Sequence, residues 1–270
     1  MSNQSDKPSL RQRILGGDLL VGTFLNLGAP QAVELAGLAG LDWLLLDLEH
    51  GAGTEADLLV QLYAAQTTGV PALVRVESST RLRVGRVLDL GAGGIMVPRL
   101  ETPDEVRQAV SYVRYQPDGI RGVALITRGA ELGRIGHTDV RAKSSTLPLV
   151  VQVENPSAVA HAAEIAAIDG VDVLFVGPTD LTHSMGIPGD FANAAYRDAL
   201  AAVIAGARSA GKEAGILLRR LEDLERHAEM GFRFIGVASD SAWIADGAKA
   251  TALAAGRLRA GLQSTIAAFQ

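Results

Sequence analysis

The stretch LDWLLLDLEHG, residues 41–51, carries an apolar run directly into Asp47, Glu49 and His50. Carboxylates beside an imidazole can move protons, because a neutral imidazole near pH 7 is a ready general base. Three other apolar runs end on groups of the same kind. PALVRVE brings Arg75 and Glu77, PLVVQVEN brings Gln152 and Glu154, and VDVLFVG runs into GPTDL with Asp180. Glu154 and Asp180 have no cysteine or histidine beside them. Oxygen ligation of a hard or borderline divalent ion (Mg²⁺, Mn²⁺ or Co²⁺) therefore suits them better than a zinc site. Each could instead cap the helix that follows it, as carboxylates often do. The guanidinium of Arg75, closing a strand, must meet an anion, either a substrate or a structural carboxylate. An isolated His50 could be satisfied by a backbone carbonyl; its place beside two acids favours the base.

Each of these groups follows a short run of leucine and β-branched residues, and each run is followed by an Ala/Leu-rich helical stretch. Reading from LLVGTFLNL (19–27) to FRFIGVAS gives eight such strand–helix units. Thr102 and Glu105 have capping-box spacing at the start of one helix, and Pro30 opens another. The strands are continuously apolar, the pattern of a parallel sheet covered by helices on both faces. Eight units without a compositional break predict one α/β domain over residues 1–270, a closed (β/α)₈ TIM barrel. Residues 1–18 would form a polar N-terminal extension and helix, and a long helix would close the chain. The rival is an open doubly wound sheet, but no GxGxxG or GxxxxGK[ST] follows a strand. In a barrel the C-terminal strand ends converge on one mouth. The remaining ends, at Asn26, Pro98, Leu217 and Ser239, are less polar.

The 270 residues are 48% apolar, carry a net charge of −5 and include no cysteine. Without a basic tract, nucleic acid is not expected as a partner. Without cysteine, disulfides and thiolate metal sites are excluded. The start MSNQSDKPSLRQRI lacks a signal-peptide core, and apolar runs stop short of the roughly 20 residues needed to span a bilayer. The expectation is a cytoplasmic protein with no membrane partner. The four lysines, Lys7, Lys143, Lys212 and Lys249, end no strand, which disfavours Schiff-base chemistry.

Taken in order, LDWLLLDLEHG, VRV, LDLGAGGIMVPRLET, GIRGV, QVEN and FVGPTDLTHSMG resemble the successive motifs of the HpcH/HpaI aldolases. These are metal-dependent pyruvate aldolases of the 4-hydroxy-2-oxoheptanedioate or 2-keto-3-deoxy-sugar-acid type. The resemblance implies a lyase that reversibly cleaves a 4-hydroxy-2-oxo acid to pyruvate and an aldehyde, with oxaloacetate decarboxylation as a side reaction. It implies Glu154 and Asp180 as the ligands of a divalent ion, and His50 as the base. Arg75 would stabilise the enolate and aldehyde oxygens. Gln152 and the segment Gly177, Pro178, Thr179 and Asp180 would hold the substrate. Asp89, in LDLGAGG, would raise the basicity of the histidine from its own or a neighbouring subunit, and Asp47 would orient the loop. A homo-oligomer is implied too, a hexamer built as a trimer of dimers with exchanged C-terminal helices.

The run ALITRGAELGRIGH after GIRGV departs from the family pattern. That loop is expected to cover the site, with Arg128 either meeting a distal carboxylate of the acceptor or facing solvent. His183 is expected in solvent or at the acceptor, and His137, His161 and His227 as structural residues. Two other readings stay open. One is a CoA-ester lyase of the citrate-lyase β-subunit or malyl-CoA type, although no basic cluster for CoA phosphates stands out. The other is a barrel that binds anions without turning them over.

Overall fold

Eight short strands account for the apolar runs: β1 Leu20–Leu25, β2 Trp43–Asp47, β3 Ala72–Arg75, β4 Ile95–Val97, β5 Leu149–Val153, β6 Val173–Val176, β7 Glu213–Leu218 and β8 Phe234–Ser239. Each lies parallel to the next, and β8 pairs back onto β1, so the sheet closes. Helices alternate with the strands, giving the (β/α)₈ barrel that the sequence predicts. The computed structural model describes residues 8–268, with side chains described through residue 260. Residues 1–7, Lys7 among them, lie outside the described residues.

The continuous apolar runs follow from burial on both strand faces. In β2, Trp43 and Leu45 join the barrel interior, while Leu44 and Leu46 pack outward against the helices. The interior is unusually aromatic for a chain with so few aromatic residues. Trp43 stacks on Phe234 with centroids 4.2 Å apart, and Phe175 meets both rings edge-on. Small residues opposite make the room: a Cβ on Gly22 would sit 2.3 Å from the Trp43 ring, and one on Gly215 2.5 Å from Phe175. The N-terminal helix Leu10–Leu15, held by a Ser9–Gln12 capping box, buries Leu10 and Ile14 against this interior. Arg11 ties it to Asp172 just before β6, and Arg13 to Asp42 just before β2. It therefore plugs the end of the barrel opposite the mouth.

Helix Pro103–Val113 starts with the Thr102–Glu105 capping box foreseen from spacing. The connection after it, 114–148, does not lie over the mouth of its own barrel, contrary to expectation. Arg121 bonds Asp89 at the end of helix Arg81–Asp89, and Arg128 bonds Gln66 and covers the Tyr63 ring at 4.1 Å. Both sit toward the N-terminal ends of the strands. The reason is topological: a helix after a strand runs back down, so its connection to the next strand starts at the lower face. Lys143 falls in a further helix, Asp139–Ser145, rather than in a plain loop.

The last helix, Asp240–Ala268, presents Trp243, Ile244, Leu253 and Leu258 to solvent in the single chain. Among the described residues no helix is long and apolar enough to cross a membrane.

The interlocked interior generates a stability prediction. Gly22→Ala forces a methyl group into the Trp43 ring and backbone, so it should destabilise by about 3 kcal/mol. Urea unfolding should show a lower midpoint at unchanged slope; an unchanged midpoint would contradict this packing.

Candidate active site

Asp47 and Arg75 are register partners at the ends of β2 and β3. Arg75 reaches back in two-point contact, with Nε 2.9 Å from Asp47 Oδ1 and Nη2 2.6 Å from Oδ2. Its remaining nitrogen, Nη1, lies 3.2 Å from Glu49 Oε2, and its carbon stands over the Phe24 ring at 5.3 Å. The side chain is only 8% exposed. Burial works against its charge, but the hydrogen bond and charge of Asp47, helped by Glu49 and Glu154, raise its pKa above the ordinary value.

Asp47 has a second task. Its Oδ1 accepts the backbone N–H groups of Glu49 and His50 at 3.1 and 3.3 Å, fixing the turn that carries both side chains. His50 is more than half exposed at the mouth, and its Nε2 lies 3.8 Å from Glu49 Oε2.

Across the mouth, Glu154 follows β5 and is buried. Capping of the helix after it falls to Asn155, whose side chain accepts from Ala158 N–H at 2.8 Å. That leaves the Glu154 carboxylate free of the capping role. Burial, then the charges of Asp180 and Glu49, push its carboxyl up to about 7; Arg75 and the Arg99 N–H oppose the shift. Gly177 gives it space, since a Cβ there would sit 3.0 Å from both Cγ and Oε1 of Glu154. Gly177 also opens helix Pro178–Ser184, whose first turn sets Thr179 and Asp180 exposed at the rim. Gln152, two residues before Glu154 on β5, is buried, with Oε1 lacking a hydrogen-bond partner among the described residues.

The charge balance of this cluster is uneven. Among the described residues the cations that Asp47, Glu49 and Glu154 meet are Arg75 and Arg99, so with Asp180 beside Glu154 the cluster carries more negative than positive charge when all are ionised. A buried carboxylate without a counter-charge takes up a proton or a cation. The donor set therefore fits a hard divalent ion held by Glu154 and Asp180. Among the described residues no three His, Cys, Asp or Glu side chains form a closed cage. Two carboxylate ligands would leave coordination positions open, as a catalytic rather than structural site requires.

The structure thus gathers Asp47, His50, Arg75, Gln152, Glu154, Gly177, Pro178, Thr179 and Asp180 at one rim. It does not bring Asp89 to His50 within the chain: Asp89 ends its helix at the opposite face, paired with Arg121 at 2.9 Å. Arg128 is likewise remote, His183 and His137 are exposed, and His161 and His227 bond backbone carbonyls one helical turn away. Glu49, read at its strand end but given no role there, bridges Arg75 and Arg99. Two further residues at the rim escaped the reading of the strand ends. Arg99 leaves β4 at φ 59 and gives its N–H to Glu154 Oε2 at 3.3 Å. Asp240 accepts the N–H groups of Asn26 and Leu27 and holds the end of β1. An acid directly after the β8 run was the available signal for Asp240.

The family model for HpcH/HpaI aldolase/citrate lyase matches residues 20–246. A hydroxypyruvate/pyruvate aldolase of Delftia acidovorans is 38% identical over 226 residues, covering 82% of each chain. A 5-keto-4-deoxy-D-glucarate aldolase of Klebsiella pneumoniae is 37% identical, covering 82% of this chain and 86% of its own. Among solved structures, an HpcH/HpaI aldolase/citrate lyase family protein from Burkholderia cenocepacia superposes with a TM-score of 0.85 at 36% identity. That match covers 93% of this chain and 98% of the other. The chain belongs to the HpcH/HpaI aldolase/citrate lyase family, and it is an aldolase, a lyase of carbon–carbon bonds.

Proposed function

We propose that this aldolase uses a divalent ion to cleave a 4-hydroxy-2-oxo acid reversibly to pyruvate and an aldehyde. The observation that carries the reading is the buried Glu154 carboxylate, set beside Asp180 and Glu49 with too little positive charge around it. Mg²⁺, Mn²⁺ and Co²⁺ all suit oxygen ligands of this kind. Bound there, the ion would supply electrophilic stabilisation of negative charge developing on the substrate's keto oxygen.

The chain's own residues do the rest. In the cleavage direction His50 accepts the proton of the 4-hydroxyl group as the C3–C4 bond breaks and the aldehyde departs. It then returns the proton to C3, leaving pyruvate. Glu49 Oε2, 3.8 Å from Nε2, stands beside the imidazole as it carries the proton between these steps. Arg75 is locked in place before substrate arrives, so its positive field costs no reorganisation as charge develops. Gln152 and the turn Gly177–Asp180 orient the oxo acid. Oxaloacetate, which breaks down through the same kind of carbanion at C3, would lose CO₂ at this site.

Among the described residues His50 meets no carboxylate besides Glu49, while Asp89 is displayed at the opposite face. A neighbouring copy could supply Asp89, and the exposed apolar face of helix Asp240–Ala268 suits packing against a second chain. A homohexamer, a trimer of such dimers, fits this reading. The CoA-ester alternative gains nothing from Arg75, which is committed to carboxylates.

Two outcomes follow. His50→Ala should slow deuterium exchange at C3 of pyruvate by about 10²- to 10⁴-fold, read by NMR; undiminished exchange would remove His50 as the base. The second outcome concerns pH. With the Glu154 carboxyl raised from 4.5 to about 7, the folded state holds a proton that the unfolded chain releases. Stability from this group therefore falls as pH rises between those values, by an amount on the order of 3 kcal/mol without metal. Glu154→Gln should lack this fall. Mn²⁺ should raise the melting temperature of the wild type more at pH 8 than at pH 6, and not that of the variant. Equal metal shifts in both proteins would place the ion elsewhere.

A further inference from the structure

The aldehyde half of the site has no assigned residue once Arg128 proves remote, and this inference rests on the pyruvate reading above. Arg99 occupies the vacant role by geometry. It leaves β4 in the left-handed region, at φ 59, a conformation that glycine adopts freely and other residues resist. Non-glycine residues held there cluster at functional sites, where surrounding contacts over-determine them. Here the contact is the Arg99 N–H on Glu154 Oε2 at 3.3 Å. The backbone is thereby pinned to the carboxylate proposed to face the ion, and the side chain stays at the mouth.

Arg75 and Arg99 are in opposite states. Arg75 is 8% exposed, with Nε and Nη2 bonded to Asp47 and Nη1 against Glu49. It has no fork left to offer a second anion. Arg99 is 75% exposed and touches one group, Glu49 Oε1, through Nε at 3.4 Å. Neither of its Nη groups has a partner among the described residues. Two such N–H donors in one plane match a carboxylate in two-point contact. Glu49 would keep Arg75 as a partner if Arg99 turned to a ligand, so the exchange strands no buried charge.

We propose that Arg99 is the acceptor-side specificity residue: its free Nη groups bind a carboxylate on the aldehyde and make this enzyme prefer an acidic aldehyde to its neutral analogue. In the addition direction C3 of pyruvate gives a proton to His50 and bonds to the aldehyde carbon. The aldehyde oxygen takes up the proton, and the carboxylate on Arg99 is unchanged.

The test uses the full-length enzyme with Mn²⁺ and pyruvate. It compares tartronate semialdehyde with glyceraldehyde, which differ in carboxylate against CH₂OH. Wild type should prefer the acid. Arg99→Met should lower the acid-to-neutral ratio of kcat/KM about 10- to 100-fold, mainly through KM, and Arg99→Lys should restore part of it. Because the ratio is taken within each variant, a general loss of active protein cancels. Pyruvate C3 exchange, measured on the wild type alongside, separates the two levels. Wild-type exchange with no preference, or a ratio unmoved by Arg99→Met, would overturn the Arg99 assignment alone. No exchange in the wild type would overturn the pyruvate reading beneath it.

Discussion

Asp47 and Arg75 meet where β2 and β3 end, and the mouth of the barrel is organised around their two-point contact. A buried ion pair is poor at adding net stability, because removing both charges from water offsets most of their attraction. The worth of this pair is positional. Asp47 spends one oxygen on the guanidinium and on the N–H groups of Glu49 and His50, so one carboxylate sets both the arginine and the turn carrying the base. Phe24, whose ring lies beneath Arg75, connects this polar layer to the aromatic interior and to the Gly22–Trp43 interlock below. The apolar core fixes the floor on which the chemistry stands.

The other side of the mouth is built in the opposite electrostatic sense. Where Arg75 is fully partnered, Glu154 is buried beside like charges, and Gly177 lacks a side chain so that the carboxylate can approach. A protein that kept this arrangement for stability alone would do better with an apolar side chain. The buried Gln152 adds an amide oxygen without a hydrogen-bond partner among the described residues, and such a donor set is what a hard cation would satisfy.

Much of this was legible in the residues. The run through Trp43–Leu46 is apolar at every position because strand and helix layers bury both faces, and it stops where the barrel opens at Asp47. The eight units, the Thr102–Glu105 capping box and the acid-ended strands follow from local pattern. Arg99 did not, because its left-handed backbone depends on a tertiary bond to Glu154 that VPRL cannot display. The 124–137 segment was a different kind of miss. It follows a helix that runs away from the mouth, so strand–helix alternation already implied the lower face. The capping alternative for Glu154 was undecidable from sequence; the neighbouring Asn155 settles that role in three dimensions.

The central claim is that a divalent ion sits between Glu154 and Asp180. Crystals grown with Mn²⁺ and pyruvate, and measured for anomalous scattering at the manganese edge, address it directly. The account predicts one strong peak within about 2.3 Å of an oxygen from each carboxylate. A manganese peak elsewhere in the chain, or none at full occupancy of pyruvate, would contradict it.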